Sequence, residues 1–245
     1  MTIPIIHRHF KSINSTNTYA MAHYRDFDRK ALTAISADEQ TGGRGRYQRH
    51  WHSPVNGNIY VTLCLFLSQD NPHFINLPQI IAALACLLIE KEGLAARIKW
   101  PNDLFINKQK IGGLLTESTI LDKQRFLAIG IGINANMDHA SRQQIDKPAT
   151  SLFIEKGKKI EAAAFRETLV NTVAENIPLF INEGIEPFYP AIKHFILTYE
   201  PITFSDGCRH YTGHVSEFHH DGSITFTCCN GETQRFYSGE ITETH

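Results

Sequence analysis

Apolar and polar positions follow one another along this chain in two rhythms. Leu77, Ile80, Ile81, Leu84 and Leu88 recur at helical spacing, which predicts an amphipathic helix over residues 76–92. Phe165, Leu169, Val173, Ile177 and Phe180 repeat that spacing and predict a second, longer helix, followed by a shorter helical stretch over 186–197. Asn14 or Ser15 can cap an earlier helix that runs from Thr16 to about Tyr24. The other rhythm is that of β-branched and aromatic runs bounded by turn residues, at 3–10, 31–37, 58–67, 97–100, 104–107, 114–117 and 125–133. Hairpin-rich strands interspersed with helices fit an α/β or an α+β fold.

After residue 198 only the strand rhythm remains. Four short strands, at 202–205, 211–217, 223–227 and 233–237, are separated by Asp206-Gly207, Asp221-Gly222 and Asn230-Gly231, dipeptides suited to tight hairpins. They predict a small β-barrel, and with it two domains, 1–198 and 199–245.

One polar stretch, 38–57, is too long to be a simple connection. From Gln40 to Trp51 it holds three glycines and three arginines, Arg44, Arg46 and Arg49, without an acidic residue. Glycines let a backbone approach a ligand closely, guanidinium groups suit phosphate and carboxylate oxygens, and Trp51 offers a flat face to a ring. The alternative is a solvated loop that brushes RNA. A second constellation, Lys99-Trp100-Pro101-Asn102-Asp103, places a cation, an aromatic ring, an amide and a carboxylate on a proline-stiffened turn, and Lys110 follows beside Gly112-Gly113. Ser15-Thr16-Asn17 reads as a helix cap, and the glycine-interrupted strand end Gly130-Ile131-Gly132-Ile133-Asn134 as a bulge or a close approach to a ligand.

Composition narrows the picture. With 42% hydrophobic and 20% charged residues the chain is neither disordered nor fibrous, and its formal net charge of -1 provides no global field for a run of phosphates. Any anion site must be local. No GxxxxGK[ST] is present, which excludes a P-loop. The apolar run from Ile80 to Ile89 is too short to span a bilayer, and His7, Arg8 and His9 interrupt any leader-like stretch, so a cytoplasmic protein without a membrane partner is expected. Five cysteines without a CxxC pair point to reduced thiols. Cys208, His210 and His214 share strand parity, with His219-His220 nearby, but lack zinc-ligand spacing, and no metal site is assigned.

Taken together, Ser15-Thr16-Asn17, GGRGRYQRHW (42–51), KWPND (99–103), KIGGLLTE (110–117) and GIGIN (130–134) resemble, in order and spacing, the biotin protein ligases. The resemblance covers the catalytic domain from end to end and implies for it an α+β fold around a mixed sheet, and the β-rich tail is similar to that family's SH3-like C-terminal domain. It implies a ligase that joins biotin and ATP into biotinyl-5′-AMP, with Mg²⁺, and passes biotin to a lysine of a biotin carboxyl carrier protein of acetyl-CoA carboxylase. Carried over to this sequence, it implies that Ser15, Thr16, Asn17 and Gln40 bind the ureido ring, with Gly113 and Leu115 adding backbone contacts. Arg44, Gly45 and Arg46 would close over the carboxylate and phosphate, with Lys110 at the same junction as the most important cation. Arg49, Lys99, Asn102 and Asn134 would line the adenylate, Trp51 would pack on adenine, and Asp103 would lie near the metal and help to deprotonate the acceptor lysine.

Several further expectations follow from the resemblance. Only fourteen residues precede Ser15, so no operator-binding domain is expected, while a homodimer is compatible with the pattern. Gly239-Glu240-Ile241 matches the family's ending, whereas Thr203 and Glu243-Thr244 stand where some relatives place basic residues near ATP. The three arginines, uncompensated within their own loop, are expected to keep it mobile until an anion arrives. Two other readings remain: a lipoate ligase or octanoyl transferase of the same architecture, and a nucleic-acid-binding module built on the arginine loop, against which the balanced charge counts.

Overall fold

The computed structural model describes residues 2–55, 57–197 and 202–243. Its larger sheet has seven strands: β1 (Ile5–Ile13), β2 (Leu32–Gln40), β3 (Ile59–Ser68), β4 (Arg97–Lys99), β5 (Asp103–Ile106), β6 (Gln109–Leu121) and β7 (Gln124–Ile133), in the order β1-β2-β3-β7-β6-β5-β4. β1 and β2 run parallel, and every other neighbour is antiparallel, so the sheet is mixed as expected. The parallel pair needs a crossover, supplied by α1 (Thr16–His23), which Ser15 caps by accepting from the Thr18 amide.

Alternation along the central strands sorts side chains to two faces. Cys64, Phe66, Phe126 and Ala128 join Ala20 of α1 and Phe27 in a small aromatic core. Leu63, Leu65, Leu127 and Ile129 face the other way, into the main core with α2 (Leu77–Lys91) and α5 (Ala162–Glu183). The segment Phe74–Lys91 is long and apolar enough to cross a membrane, but 67% of it is buried inside the fold, as befits a helix covering a sheet. Two short helices, α3 (His139–Arg142) and α4 (Leu152–Lys156), follow β7, and α6 (Tyr189–Phe195) follows α5.

The predicted strand at 114–117 belongs to the much longer β6, because alternating exposed Thr116, Ser118 and Ile120 extend the pairing with β7 to Leu121. In the tail, five strands rather than four form an antiparallel sheet: β8 (Ile202–Ser205), β9 (His210–Phe218), β10 (Ile224–Cys228), β11 (Thr233–Phe236) and β12 (Glu240–Glu243), ordered β11-β10-β9-β8-β12. β12 escapes sequence reading because it has one apolar residue, Ile241, and takes its register from β8. The architecture agrees with the expected SH3-like domain. The expected boundary at 198 and 199 and the remark on Thr244 fall outside the described residues.

The two sheets are joined through a continuous core. Trp100 is 2% exposed, lies 6.1 Å from the Phe204 ring, and donates its indole N–H to the Gly222 carbonyl at 3.0 Å. Gln79 donates to the same carbonyl at 2.9 Å, and the Tyr189 hydroxyl donates to that of Phe218 at 2.6 Å. Gly222 is required there: its φ is +81°, and a Cβ would stand 2.5 Å from Gln79 Oε1. The ring in KWPND therefore serves the joint between the sheets, leaving Lys99, Asn102 and Asp103 to face the cleft.

Candidate active site

A cleft of about 640 Å³ lies at the end of the large sheet where α1 begins, and its walls include every one of the sixteen residues singled out in the sequence. Its floor is polar and buried. The β1–α1–β2 crossover sets the first turn of α1 beside Gln40, the last residue of β2. Gln40 Oε1 accepts from the Thr16 amide at 2.9 Å and from the Thr16 hydroxyl at 3.0 Å, and Gln40 Nε2 donates to Ser53 Oγ at 3.2 Å. Asn17 donates to the Leu115 carbonyl and to Glu117 Oε2, both at 3.1 Å, and accepts from the Thr62 hydroxyl at 2.6 Å. Buried polar groups so fully partnered form a rigid recognition surface.

Glycines on β7 make room for this floor. Gly130 and Gly132 point to one face, and a Cβ on Gly130 would stand 2.3 Å from Asn17 Oδ1. On Gly132 it would stand 2.6 Å from Trp51 Nε1. The interrupted strand end is thus a seat for two site side chains, not a bulge: the β3–β7 pairing is continuous through both glycines. Trp51, expected on adenine, lies in the structure over Gly132, with the Lys110 ammonium 5.4 Å from its ring centre. Its indole N–H is buried without a partner among the described residues.

The opposite wall carries the cations. Register between β5 and β6 shifts between Leu104 and Phe105, and Lys110 Nζ meets Asp103 Oδ1 at 2.7 Å. Main-chain bonds hold Lys110 from the other side: its amide donates to the Pro148 carbonyl at 3.2 Å and its carbonyl accepts from Thr150 at 2.9 Å. Gly113 sits below the ion pair, where a Cβ would stand 2.9 Å from Asp103 Oδ1. Asn102 donates to the Leu114 carbonyl at 2.6 Å and accepts from Arg46 at 3.2 Å. Lys99 lies over the Phe105 ring at 4.9 Å, and Asn134 donates to the Thr150 carbonyl at 3.1 Å.

The arginine loop departs from expectation. Two of its charges find carboxylates elsewhere in the fold, Arg44 with Glu117 at 3.3 Å and Arg49 with Glu240 in a two-point ion pair, while Arg46 donates to the Gly239 carbonyl at 3.0 Å. Tyr47 and Gln48, both with positive φ, turn the loop back so that Arg44 bridges to His50. Counter-charges thus stand beside Arg44 and Arg49, which the sequence alone did not supply, and two of the three anchors come from the tail, at residues 239 and 240. Hydrogen bonding from Arg49 holds the Glu240 carboxyl below the ordinary glutamate range and raises the Arg49 guanidinium. Burial, aided by His50, lowers the His52 imidazole.

A prediction follows for the strap. Glu240→Gln removes the charge that anchors Arg49, so tryptic cutting after Arg49 should quicken in the ligand-free protein by a fewfold to about tenfold, as for loss of a half-exposed ion pair. Because the folded carboxyl is depressed, wild-type protection is fully present above the ordinary glutamate range and is lost as pH falls through the lowered value. Equal cleavage of variant and wild type at neutral pH would show that the strap does not hold the loop.

Sequence reasoning missed Thr62, Ser53, Glu117 and the wall formed by residues 144–149, and it did not place Glu240 and Ile241 at the cleft. Thr62 carried a legible signal, a hydroxyl amid the apolar run of β3. The 144–149 wall carried none, since it is placed by main-chain bonds to Lys110. Among the described residues no three His, Cys, Asp or Glu side chains converge as a metal cage.

Comparison with known proteins agrees with this geometry. The sequence pattern of the biotin/lipoate A/B protein ligase family matches residues 9–134. The bifunctional ligase/repressor BirA of Escherichia coli is 30% identical over 178 residues, 72% of this chain and 54% of that one. BirA of Bacillus subtilis is 35% identical over 161 residues, 63% of this chain and 49% of that one. This chain thus spans about half the length of these relatives. The biotin protein ligase of Aquifex aeolicus, solved with biotin and ATP, superposes with a TM-score of 0.80 at 25% identity and covers 97% of each chain.

Proposed function

The chain belongs to the biotin/lipoate A/B protein ligase family, and from that premise we propose that it activates biotin with ATP as biotinyl-5′-AMP and transfers biotin to a lysine of a carrier protein. One observation carries the reading: a buried, neutral, hydrogen-bonding floor opens directly onto Arg46, Lys110 and Asn102 in a single cleft. A ureido ring has polar atoms that are costly to bury unpaired, and this floor matches them. A dithiolane or an octanoyl tail has none, which disfavours lipoate and octanoate.

The chemistry joins two anions, the biotin carboxylate and the α-phosphate, so the walls must cancel charge where the new bond forms. Lys110, held by Asp103 on one side and by β6 on the other, presents its ammonium at that junction. Arg46 presents N–H donors from the facing loop and is oriented by the Asn102 side-chain oxygen, which accepts from it. Mg²⁺ fits as a companion of the nucleotide, neutralising phosphate charge, with Asp103 and the Asn102 amide as the oxygen donors nearby and no protein cage required. In the transfer step Asp103 is the carboxylate placed to take a proton from an incoming lysine amine. Carrier protein as acceptor and the cytoplasm as location, the latter favoured by five free cysteines, belong to this proposal.

The test is biotin-dependent exchange of labelled pyrophosphate into ATP by the purified chain. Exchange with biotin and little with lipoate or octanoate is expected; equal exchange with lipoate overturns the reading.

A further inference from the structure

Glu117 lies on β6 outside every motif role assigned above, yet it touches both halves of the cleft. Its Oε2 accepts from Asn17 Nδ2 at 3.1 Å and from Arg44 Nη2 at 3.3 Å, and its Oε1 lies 3.4 Å from the same Arg44 nitrogen. Arg44 Nη2 also donates to the Thr18 hydroxyl at 3.0 Å, and Nη1 to Gln48 Oε1 at 3.3 Å. Nε–H is buried without a partner among the described residues. Nε and Nη2 form one edge of a guanidinium, the edge that receives a carboxylate two-point fashion. Here that edge is half taken by Glu117 and half open. The cation and the carboxylate are each 29% exposed, so their attraction is only partly screened by water.

We propose that Glu117 is a specificity-determining counter-ion: it orients Asn17 in the floor, occupies half of the Arg44 edge, and so limits how strongly the site binds the carboxylate of the ligand before activation. This rests on the biotin reading above. A bare Arg44 would hold biotin's carboxylate by two charge-assisted bonds in the ground state, binding that accelerates nothing, since the carboxylate charge is lost on forming the mixed anhydride. With Glu117 in place the pair is neutral as a unit, and on that edge only the Nε–H is left for the ligand. Asn17, tied to the same oxygen, keeps its amide orientation whether or not a ligand is bound.

Two substitutions separate charge from position. Glu117→Gln keeps an oxygen where Oε2 now serves Asn17 and Arg44 but removes the charge, whereas Glu117→Ala removes both. Calorimetry on the purified chain would compare biotin with its neutral alcohol, biotinol. In Glu117→Gln the preference for biotin over biotinol should rise about five- to tenfold, as expected for one partly exposed charge pair, and should shrink with added salt. In Glu117→Ala both ligands should weaken as Asn17 loses its tether. An unchanged preference in Glu117→Gln overturns the proposal, as does an equal shift for both ligands. Failure of the wild-type chain to bind biotin at all would instead overturn the functional reading, and this inference with it.

Discussion

Replacing Lys110 with glutamine is expected to leave a folded protein whose pyrophosphate exchange is lower by about 10²- to 10³-fold, the scale set by removing one preorganised charge contact at a reacting centre. Lys110 is 31% exposed on its side chain, and its place in β6 depends on main-chain bonds to residues 148 and 150, so the fold does not need its ammonium. What the site loses is the cation held between Asp103 and the Trp51 face. Glutamine keeps a hydrogen-bond donor on a side chain one atom shorter, so the main change is the loss of charge. The check is exchange at saturating biotin and ATP beside a thermal melt. A melt near wild type with exchange within a fewfold of normal would move the decisive cation to Arg46 or Lys99.

Asp103→Asn provides the internal comparison. It leaves Lys110 its charge but a weaker tether, so a smaller loss than in Lys110→Gln would separate the cation's presence from its positioning.

The sequence pattern was most legible where chemistry and local structure coincide. Ser15 is read as a cap and is one; Gln40 is read as a site residue and ends β2, where the crossover delivers it to α1. Spacing could not show where the loop arginines find their counter-charges, because Glu117 and Glu240 lie 73 and 191 residues further along the chain from Arg44 and Arg49. Nor could it assign the Trp100 ring to the joint between sheets, since the Gly222 carbonyl that fixes it lies 122 residues further along the chain, beside the smaller sheet. Both misses share a cause: a long-range partner decides the role of a side chain whose local context suits several. The glycines of β7 illustrate the converse. Their presence in a strand signalled a close approach, but only the register with β3 and the placing of α1 reveal that Asn17 and Trp51 are what approaches.

That seat leads to the second large effect. In Gly130→Ala the new methyl would lie 2.3 Å from Asn17 Oδ1 and 3.0 Å from its Cγ, distances no packed core sustains. The backbone is not at fault, because Gly130 lies in regular pairing with Thr62 and Leu115 outside the left-handed region. Asn17 must move instead, yet it is 3% exposed and held by Leu115, Glu117 and Thr62. Moving it breaks bonds of a buried amide and tilts the floor, so biotin affinity should fall by about 10²-fold, close to the loss of two buried hydrogen bonds, and stability by about 1–3 kcal/mol. Gly132→Ala should instead displace Trp51, with nucleotide binding suffering more than biotin. Gly45→Ala, where a Cβ meets nothing nearer than the Arg49 carbonyl at 3.7 Å, should cost far less stability than Gly130→Ala. Calorimetry with biotin on the three variants, each with its melting curve, checks the ordering. Wild-type biotin affinity in a folded Gly130→Ala protein would mean that Asn17 is no part of the recognition floor.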